Sequence, residues 1–294
     1  MKASRSSSTA EQMALSRAIE TRKPPAERIC SDEFAERFLG GKYKWLLSAR
    51  FLRDAGESLI EALFTGHHYY VIARTRYFDE VLKECLADQP EQVVILGAGF
   101  DSRAYRFAEQ LRGVAVFEVD HPATSEIKRA KILGILGTAP ANVANVVYVP
   151  VDFNVDQLPE QLRRKGYRDQ RRTIFLWEGV TPYLTAEAVS EVLRFVRSSG
   201  ASGSTVVFDY ILKAVVEGSC PMPGARKEFE KMARTSEPLT FGIAEGQSGA
   251  FLADLGFGRI RDVGSQELKA QYFSGPNETR KVKPWWRIAR ATVP

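Results

Sequence analysis

The chain has 294 residues, 44% hydrophobic and 26% charged, with a formal net charge of +5, the composition of an ordinary globular protein. Its three cysteines, Cys30, Cys85 and Cys220, are odd in number and far apart, which argues against a disulfide framework or a zinc cluster and fits a reducing compartment. Basic residues are scattered, with small clusters at Arg163-Arg164-Lys165 and Arg171-Arg172 that read as solvated helix faces, and no apolar run approaches a membrane span. No nucleic-acid partner, no membrane contact and no metal are therefore expected. The first residues carry no signal-peptide core, so a cytoplasmic protein is expected.

Residues 1–12 are Ser-rich and expected to be frayed at their start. A helical pattern follows from Met13 to Ile19, then a Pro24-Pro25 break, then Phe34 to Leu39, which Gly40-Gly41 closes as a helix stop. Further helices are expected through Leu46 to Leu63 and Tyr69 to Leu86. No strand is expected before Val93, so residues 1–88 read as a helical cap.

From Val93 the pattern alternates. Val93-Val94-Ile95-Leu96 is an apolar, β-branched run that breaks at Gly97-Ala98-Gly99 and enters a helix from Ser102 to Leu111. Strands are expected at 114–120, 146–152, 173–178 and 205–209, with helices at about 123–136, 157–165 and 186–197 between them. Such a series implies an α/β, doubly wound, mostly parallel sheet over residues 89–294, with helices on both faces and ligands at the carboxyl ends of the strands. Residues 211–250 break the alternation around Cys220-Pro221-Met222-Pro223-Gly224 and read as a helical insertion, a lid over the crevice. The end of the chain returns to strands at 258–263 and 285–291.

Acids fall at the carboxyl ends of successive strands: Asp120, Asp152, Glu178 and Asp209. Asp120 lies about 23 residues past Gly97, where a carboxylate holds a ribose diol. A strand–glycine turn–helix unit is the usual nucleotide-cofactor site, and two features choose among cofactors. The third glycine of a dinucleotide fingerprint is replaced by Ser102, and the Asp101 carboxylate would repel a pyrophosphate. A carboxylate there suits an amino-acid ammonium or a sulfonium, which S-adenosylmethionine has and NAD lacks. No Gly-Lys-Ser/Thr phosphate loop is present in the sequence.

Four stretches in order, Leu96-Gly97-Ala98-Gly99-Phe100-Asp101-Ser102-Arg103, Phe117-Glu118-Val119-Asp120-His121-Pro122, Val151-Asp152-Phe153 and Leu176-Trp177-Glu178-Gly179-Val180-Thr181-Pro182-Tyr183-Leu184, resemble the leucine carboxyl methyltransferase family, in particular its bacterial O-methyltransferase-like branch. The resemblance reaches upstream to Ala73-Arg74-Thr75-Arg76-Tyr77-Phe78-Asp79 and covers roughly residues 60–210. It implies a class I, Rossmann-like S-adenosylmethionine-dependent fold with an N-terminal helical cap. By motif, Arg74 would pair with the cofactor carboxylate, Arg76 being the competing choice. Gly97 and Gly99 would leave room for the methionyl group, Asp120 would hold the ribose, Asp152 with Phe153 would frame the adenine, and Glu178 would lie beside the methionyl part.

The acceptor half carries no motif. Tyr183 either faces the acceptor or is a core aromatic. His121 belongs to the turn, while His67 and His68 lie in the cap and are the remaining candidates for a proton acceptor. No catalytic base is assigned and the oligomeric state stays open. The resulting expectation is O-methylation of a small-molecule carboxylate or hydroxyl. Its rivals are an NAD(P)-dependent oxidoreductase on the same fold and a cofactor-binding module without turnover.

Overall fold

The computed structural model describes residues 3–63, 65–138, 145–152, 156–235 and 238–294. One seven-stranded sheet runs in the order β3-β2-β1-β4-β5-β7-β6, built from β1 (Gln92–Leu96), β2 (Ala115–Asp120), β3 (Val146–Pro150), β4 (Thr173–Trp177), β5 (Thr205–Ile211), β6 (Gly258–Gly264) and β7 (Trp286–Thr292). All neighbours from β3 to β5 pair in parallel, whereas β7 runs antiparallel to both β5 and β6. This is the doubly wound, mostly parallel sheet expected. β1, β4 and β5 are buried at every position, which is why their sequences are continuous apolar runs instead of alternating ones. Chain order reverses between β1 and β4, so the crevice of the fold opens at the carboxyl ends of those two strands.

The N-terminal segment is helical, in shorter pieces than the sequence suggests. α1 spans Ala3–Thr21 and so starts well upstream of the expected Met13. The expected helix at Phe34–Leu39 is a single 3-10 turn, Ala35–Phe38, because the Asp32 carboxylate accepts from the Phe34 and Ala35 amides at 3.1 Å each and fixes a tight turn. Gly40-Gly41 does not end a helix; Gly41 opens α2 (Gly41–Leu47). The single helix expected through Leu46 to Leu63 is divided, since the Ser48 hydroxyl closes α2 on the Trp45 carbonyl (2.7 Å) before α3 (Arg50–Leu63) begins.

α4 (His67–Leu86) is the central helix of this segment, buried on most of its circumference, including the charged Arg74 and Asp79. Buried charges require partners, and these two lead into the site described below. α4 starts at Gly66, whose φ of +75° and absent Cβ let the chain approach Lys283; an added Cβ would stand 2.8 Å from the Lys283 nitrogen. The Lys283 amide donates to the Gly66 carbonyl at 3.2 Å, so the segment entering β7 is fastened to the start of α4.

Beyond β1 the expected ten-residue helix is only α5 (Arg103–Arg106), after which the chain continues in turns to Gly113. α6 (Pro122–Leu136) is capped by His121, whose Nδ1 accepts from the Ala123 amide at 3.3 Å. α7 (Leu158–Arg164) and α8 (Ala186–Ser199) follow as expected, α8 capped by the Thr185 hydroxyl. The 211–250 region contains α9 (Lys213–Val216) and α10 (Ala225–Met232) on either side of the Cys220–Gly224 loop. α11 (Ser248–Asp254) and α12 (Ser265–Tyr272) flank β6. Apolar residues of α1, α4, α6 and α12 cover one face of the sheet; those of α7, α8 and α11 cover the other.

Candidate active site

The turn after β1 is built around two glycines in the left-handed region, Gly97 at φ +67° and Gly99 at φ +38°. A Cβ on Gly97 would lie 2.2 Å from Val180 Cγ2, so this position accepts no side chain. The Asp120 carboxylate, at the end of β2, accepts from the Gly99 amide (2.5 Å) and the His121 amide (2.6 Å). Burial nevertheless raises its pKa above the usual carboxylate value against the lowering effect of those amides. Ser102, at the third fingerprint position, is buried, and its hydroxyl accepts from Arg106 Nε at 2.8 Å.

A buried charge cluster fills the carboxyl ends of β1, β4 and β5. Arg74 donates from Nε to Glu178 (2.9 Å) and from Nη1 to Asp209 (2.6 Å). Its Nη2 faces the Met13 sulfur at 3.9 Å. Gly179 leaves that edge of the guanidinium open, since a Cβ there would stand 3.3 Å from Nη2. The Gly179 amide fixes the other Asp209 oxygen at 2.6 Å. Arg103 donates to Asp79 (2.7 Å) and through Nη1 meets both Asp101 (2.5 Å) and Glu178 (2.6 Å). Arg106 completes the cluster on Asp79 at 2.8 Å.

Each titration shift follows from this packing. Burial alone would raise Asp101, but Arg103 and Lys128 outweigh it and hold the carboxyl down to about 2. Glu178 is likewise lowered, burial being overcome by Arg103 and Arg74. Asp209 goes the other way: burial outweighs Arg74 and the Gly179 amide. Among the described residues, four connected guanidiniums (Arg17, Arg74, Arg103, Arg106) thus face five carboxylates (Asp32, Asp79, Asp101, Glu178, Asp209). One negative charge is left in excess.

Gly97, Gly99, Asp101, Asp120, Glu178 and Arg74 therefore come together. Arg76, the competing arginine, is instead exposed on α4, paired with Glu80 at 2.6 Å. Asp152 lies just past β3, its carboxylate 4.0 Å from His121 Nε2 and its amide bonded to Asp156 (2.8 Å). Phe153 is outside the described residues. Tyr183 sits half-buried in the 3-10 turn Thr181–Tyr183 after β4. His68 is fully buried, its Nε2 3.7 Å from Glu57, and burial lowers its pKa to about 4. His67 is half-buried against Trp286, with ring centroids 6.0 Å apart.

From sequence, Asp209 is one of the four strand-end acids, whereas Arg103 and Asp79 carry no assigned role. Arg103 directly follows the glycine motif, and beside the local Asp101 its partners Asp79 and Glu178 come from α4 and the end of β4, one of them 75 positions away in sequence. A second pair was also missed: Lys128 on α6 meets Glu118 on β2 at 2.9 Å, both fully buried. Burial dominates at Glu118 and raises its pKa to about 7 in spite of Lys128.

The profile of the leucine carboxyl methyltransferase family matches residues 10–197. The chain belongs to this family. Its relatives include proteins that carry the provisional name S-adenosyl-L-methionine-dependent methyltransferase. One from Mycobacterium avium (strain 104) is 39% identical over 140 residues, 48% of this chain and 43% of its own. YktD of Bacillus subtilis (strain 168) is 35% identical over 168 residues, 57% of this chain and 54% of its own. One from Mycolicibacterium smegmatis is 33% identical over 215 residues, 73% of this chain and 67% of its own. The family member described here thus spans about half the length of the first of these relatives. No helix among the described residues is long and apolar enough to cross a membrane, and no three metal-ligating side chains cluster among them.

Proposed function

We propose that this chain is an S-adenosylmethionine-dependent methyltransferase acting on an oxygen of a small molecule. The observation that carries the cofactor half is the single excess negative charge of the buried cluster at the strand ends. A cofactor with sulfonium, ammonium and carboxylate groups has one net positive charge and complements it; a dinucleotide pyrophosphate is repelled by it. Relatives named for the same cofactor support this reading.

The residues present fit the group. Gly97, Gly99 and Gly179 leave space that a Cβ would fill or crowd. Arg74 Nη2 is the donor of that guanidinium turned away from Glu178 and Asp209, and would take the carboxylate. Glu178 would face the ammonium, Asp120 the ribose hydroxyls, and Asp152 the adenine. When bound, the cofactor supplies an electrophilic methyl group on a sulfonium. The chain's own contribution is orientation and exclusion of water: α1 lies over the turn, with Ala10 Cβ 3.5 Å from the Gly99 Cβ position and Arg17 bonded to the Phe100 carbonyl at 2.7 Å. An ionised carboxylate acceptor would need no base at neutral pH, whereas a hydroxyl would benefit from one.

The acceptor half is tested by incubating the full chain with methyl-labelled S-adenosylmethionine and a panel of carboxylates, phenols, amines and activated carbon acids. Label recovered as methyl ester or methyl ether supports it. Label recovered only on nitrogen or carbon overturns the oxygen assignment.

A further inference from the structure

We propose that the buried Glu118–Lys128 pair is a charge gate that makes the cofactor site favour the sulfonium donor over the neutral thioether product. The proposal rests on the methyltransferase reading above and concerns the selectivity of that same site. Three successive residues of β2 hold the turn after β1. Val119 accepts from the Ala98 amide at 2.9 Å, Asp120 accepts from the Gly99 amide at 2.5 Å, and Glu118 faces Lys128 of α6 at 2.9 Å. Lys128 in turn donates from Nζ to the Ala98 carbonyl at 3.3 Å, so its ammonium lies directly against the turn. Glu118 and Asp120, two residues apart on a strand, point to one face of the sheet.

Both members of the pair are fully buried, and neither Glu118 oxygen has another hydrogen-bond partner among the described residues. A change of charge here is therefore weakly screened. Around Glu118 stand Lys128 from α6, Asp101 from the turn, Asp120 from β2 itself, and the Tyr105 and Tyr148 hydroxyls from α5 and β3, bonded to each other at 2.6 Å. The Lys128 charge also reaches Asp101 and Asp120 and favours the ionised form of each. His121 acts on Asp120 from the end of β2, and Arg17 acts on Asp101 from α1.

With Glu118 ionised the pair is neutral, and the excess negative charge of the strand-end cluster is unopposed. With Glu118 protonated the pair carries one positive charge beside the turn and offsets that excess. Burial brings this exchange close to neutral pH, since it raises Glu118 to about 7 against the pull of Lys128. S-adenosylmethionine and S-adenosylhomocysteine differ by one methyl group and one positive charge, so the donor senses the exchange and the product scarcely does. A unit charge ~10 Å from a sulfonium alters affinity by on the order of tenfold at an effective dielectric of ~20.

The test is calorimetric titration of the full chain with S-adenosylmethionine and with S-adenosylhomocysteine at about pH 6 and about pH 8. In wild type the preference for the donor, read as the ratio of the two Kd values, is expected to grow by about tenfold from the lower pH to the higher. Glu118→Gln leaves the Lys128 charge uncompensated, and is expected to hold the low-pH preference at both. Lys128→Met removes the ammonium while burial keeps the lone Glu118 carboxyl protonated, so the neutral site is expected to hold the high-pH preference at both. Opposite displacements of one ratio separate charge from altered packing, and titrations of the ligands themselves cancel between variant and wild type. A second measurement needs no variant. Near pH ~6.5, in buffers of different ionisation enthalpy, the donor is expected to release about half a proton more than the product on binding to wild type. A wild-type preference that stays constant with pH, a preference that moves the same way in both variants, or equal proton release by the two ligands overturns the gate while the cofactor assignment stands. Failure of the wild type to bind either ligand removes the methyltransferase reading itself, and the proposal with it.

Discussion

Gly97→Ala puts a Cβ at a backbone φ of +67° and 2.2 Å from Val180 Cγ2. Two costs add there. Left-handed backbone costs a non-glycine residue roughly 1–2 kcal/mol, and forcing a methyl group into packed atoms costs about 1–3 kcal/mol more. Gly137 separates them, because its φ of +68° is nearly the same while no atom of the described residues lies within 4 Å of its Cβ position. Gly137→Ala should therefore lose only the backbone part, about 1–2 kcal/mol, and Gly97→Ala about 2–5 kcal/mol. Removing the obstacle should restore part of the difference: in a double-mutant cycle, Val180→Ala and Gly97→Ala are expected to couple favourably by about 1–3 kcal/mol. Urea unfolding of the four proteins measures all of these terms. Equal losses at Gly97 and Gly137, or strictly additive losses with Val180→Ala, would refute the close approach of the Val180 loop to the turn.

Arg74→Ala leaves Glu178 and the fully buried Asp209 without their shared cation, and should cost about 3–5 kcal/mol by urea unfolding. Arg76→Ala, which removes an exposed i,i+4 pair, a bond to the Ile29 carbonyl and a contact with the Tyr272 ring, should cost about 1–2 kcal/mol; similar losses for the two would contradict the assignment of Arg74. Glu118 has a folded pKa raised to about 7, mainly by burial. Its stabilising contribution is therefore fully present below its unfolded value and lost as pH rises through about 7. Measured against Glu118→Gln, the wild type is expected to lose about 3 kcal/mol between pH ~4.5 and pH ~7, and a constant difference across that window would refute the shift.

The sheet was legible in the sequence because burial on both faces leaves an unmistakable trace: Val93 to Leu96 and Thr173 to Trp177 are apolar without alternation. The glycine turn was legible for a similar local reason, since Gly97 and Gly99 meet a conformation that other residues resist. Helix extents were less so. Asp32 folds Phe34–Leu39 into one tight turn, and Ser48 divides a continuous helical pattern in two. Neither side-chain bond has a hydrophobic period. The strand-end acids were visible one by one, but their partners were not. Arg74 bonds residues 104 and 135 positions away, so which of Arg74 and Arg76 enters the cluster depends on the rotation of α4 against the sheet. The Glu118–Lys128 pair stayed hidden because β2 reads as a strand whether or not one of its inward residues is charged.

The measurement closest to the central claim is calorimetric titration of the full chain with S-adenosylmethionine, S-adenosylhomocysteine and NAD, repeated on Asp120→Ala. Asp120 is bonded to the Gly99 and His121 amides at the end of β2. Loss of charge-assisted bonds to a ribose diol is worth about 1.5–3 kcal/mol, roughly a 10- to 150-fold weaker Kd. The account predicts that wild type binds the first two ligands and not NAD, and that Asp120→Ala weakens both by that factor. Binding of NAD alone, or undiminished affinity in Asp120→Ala, would contradict it.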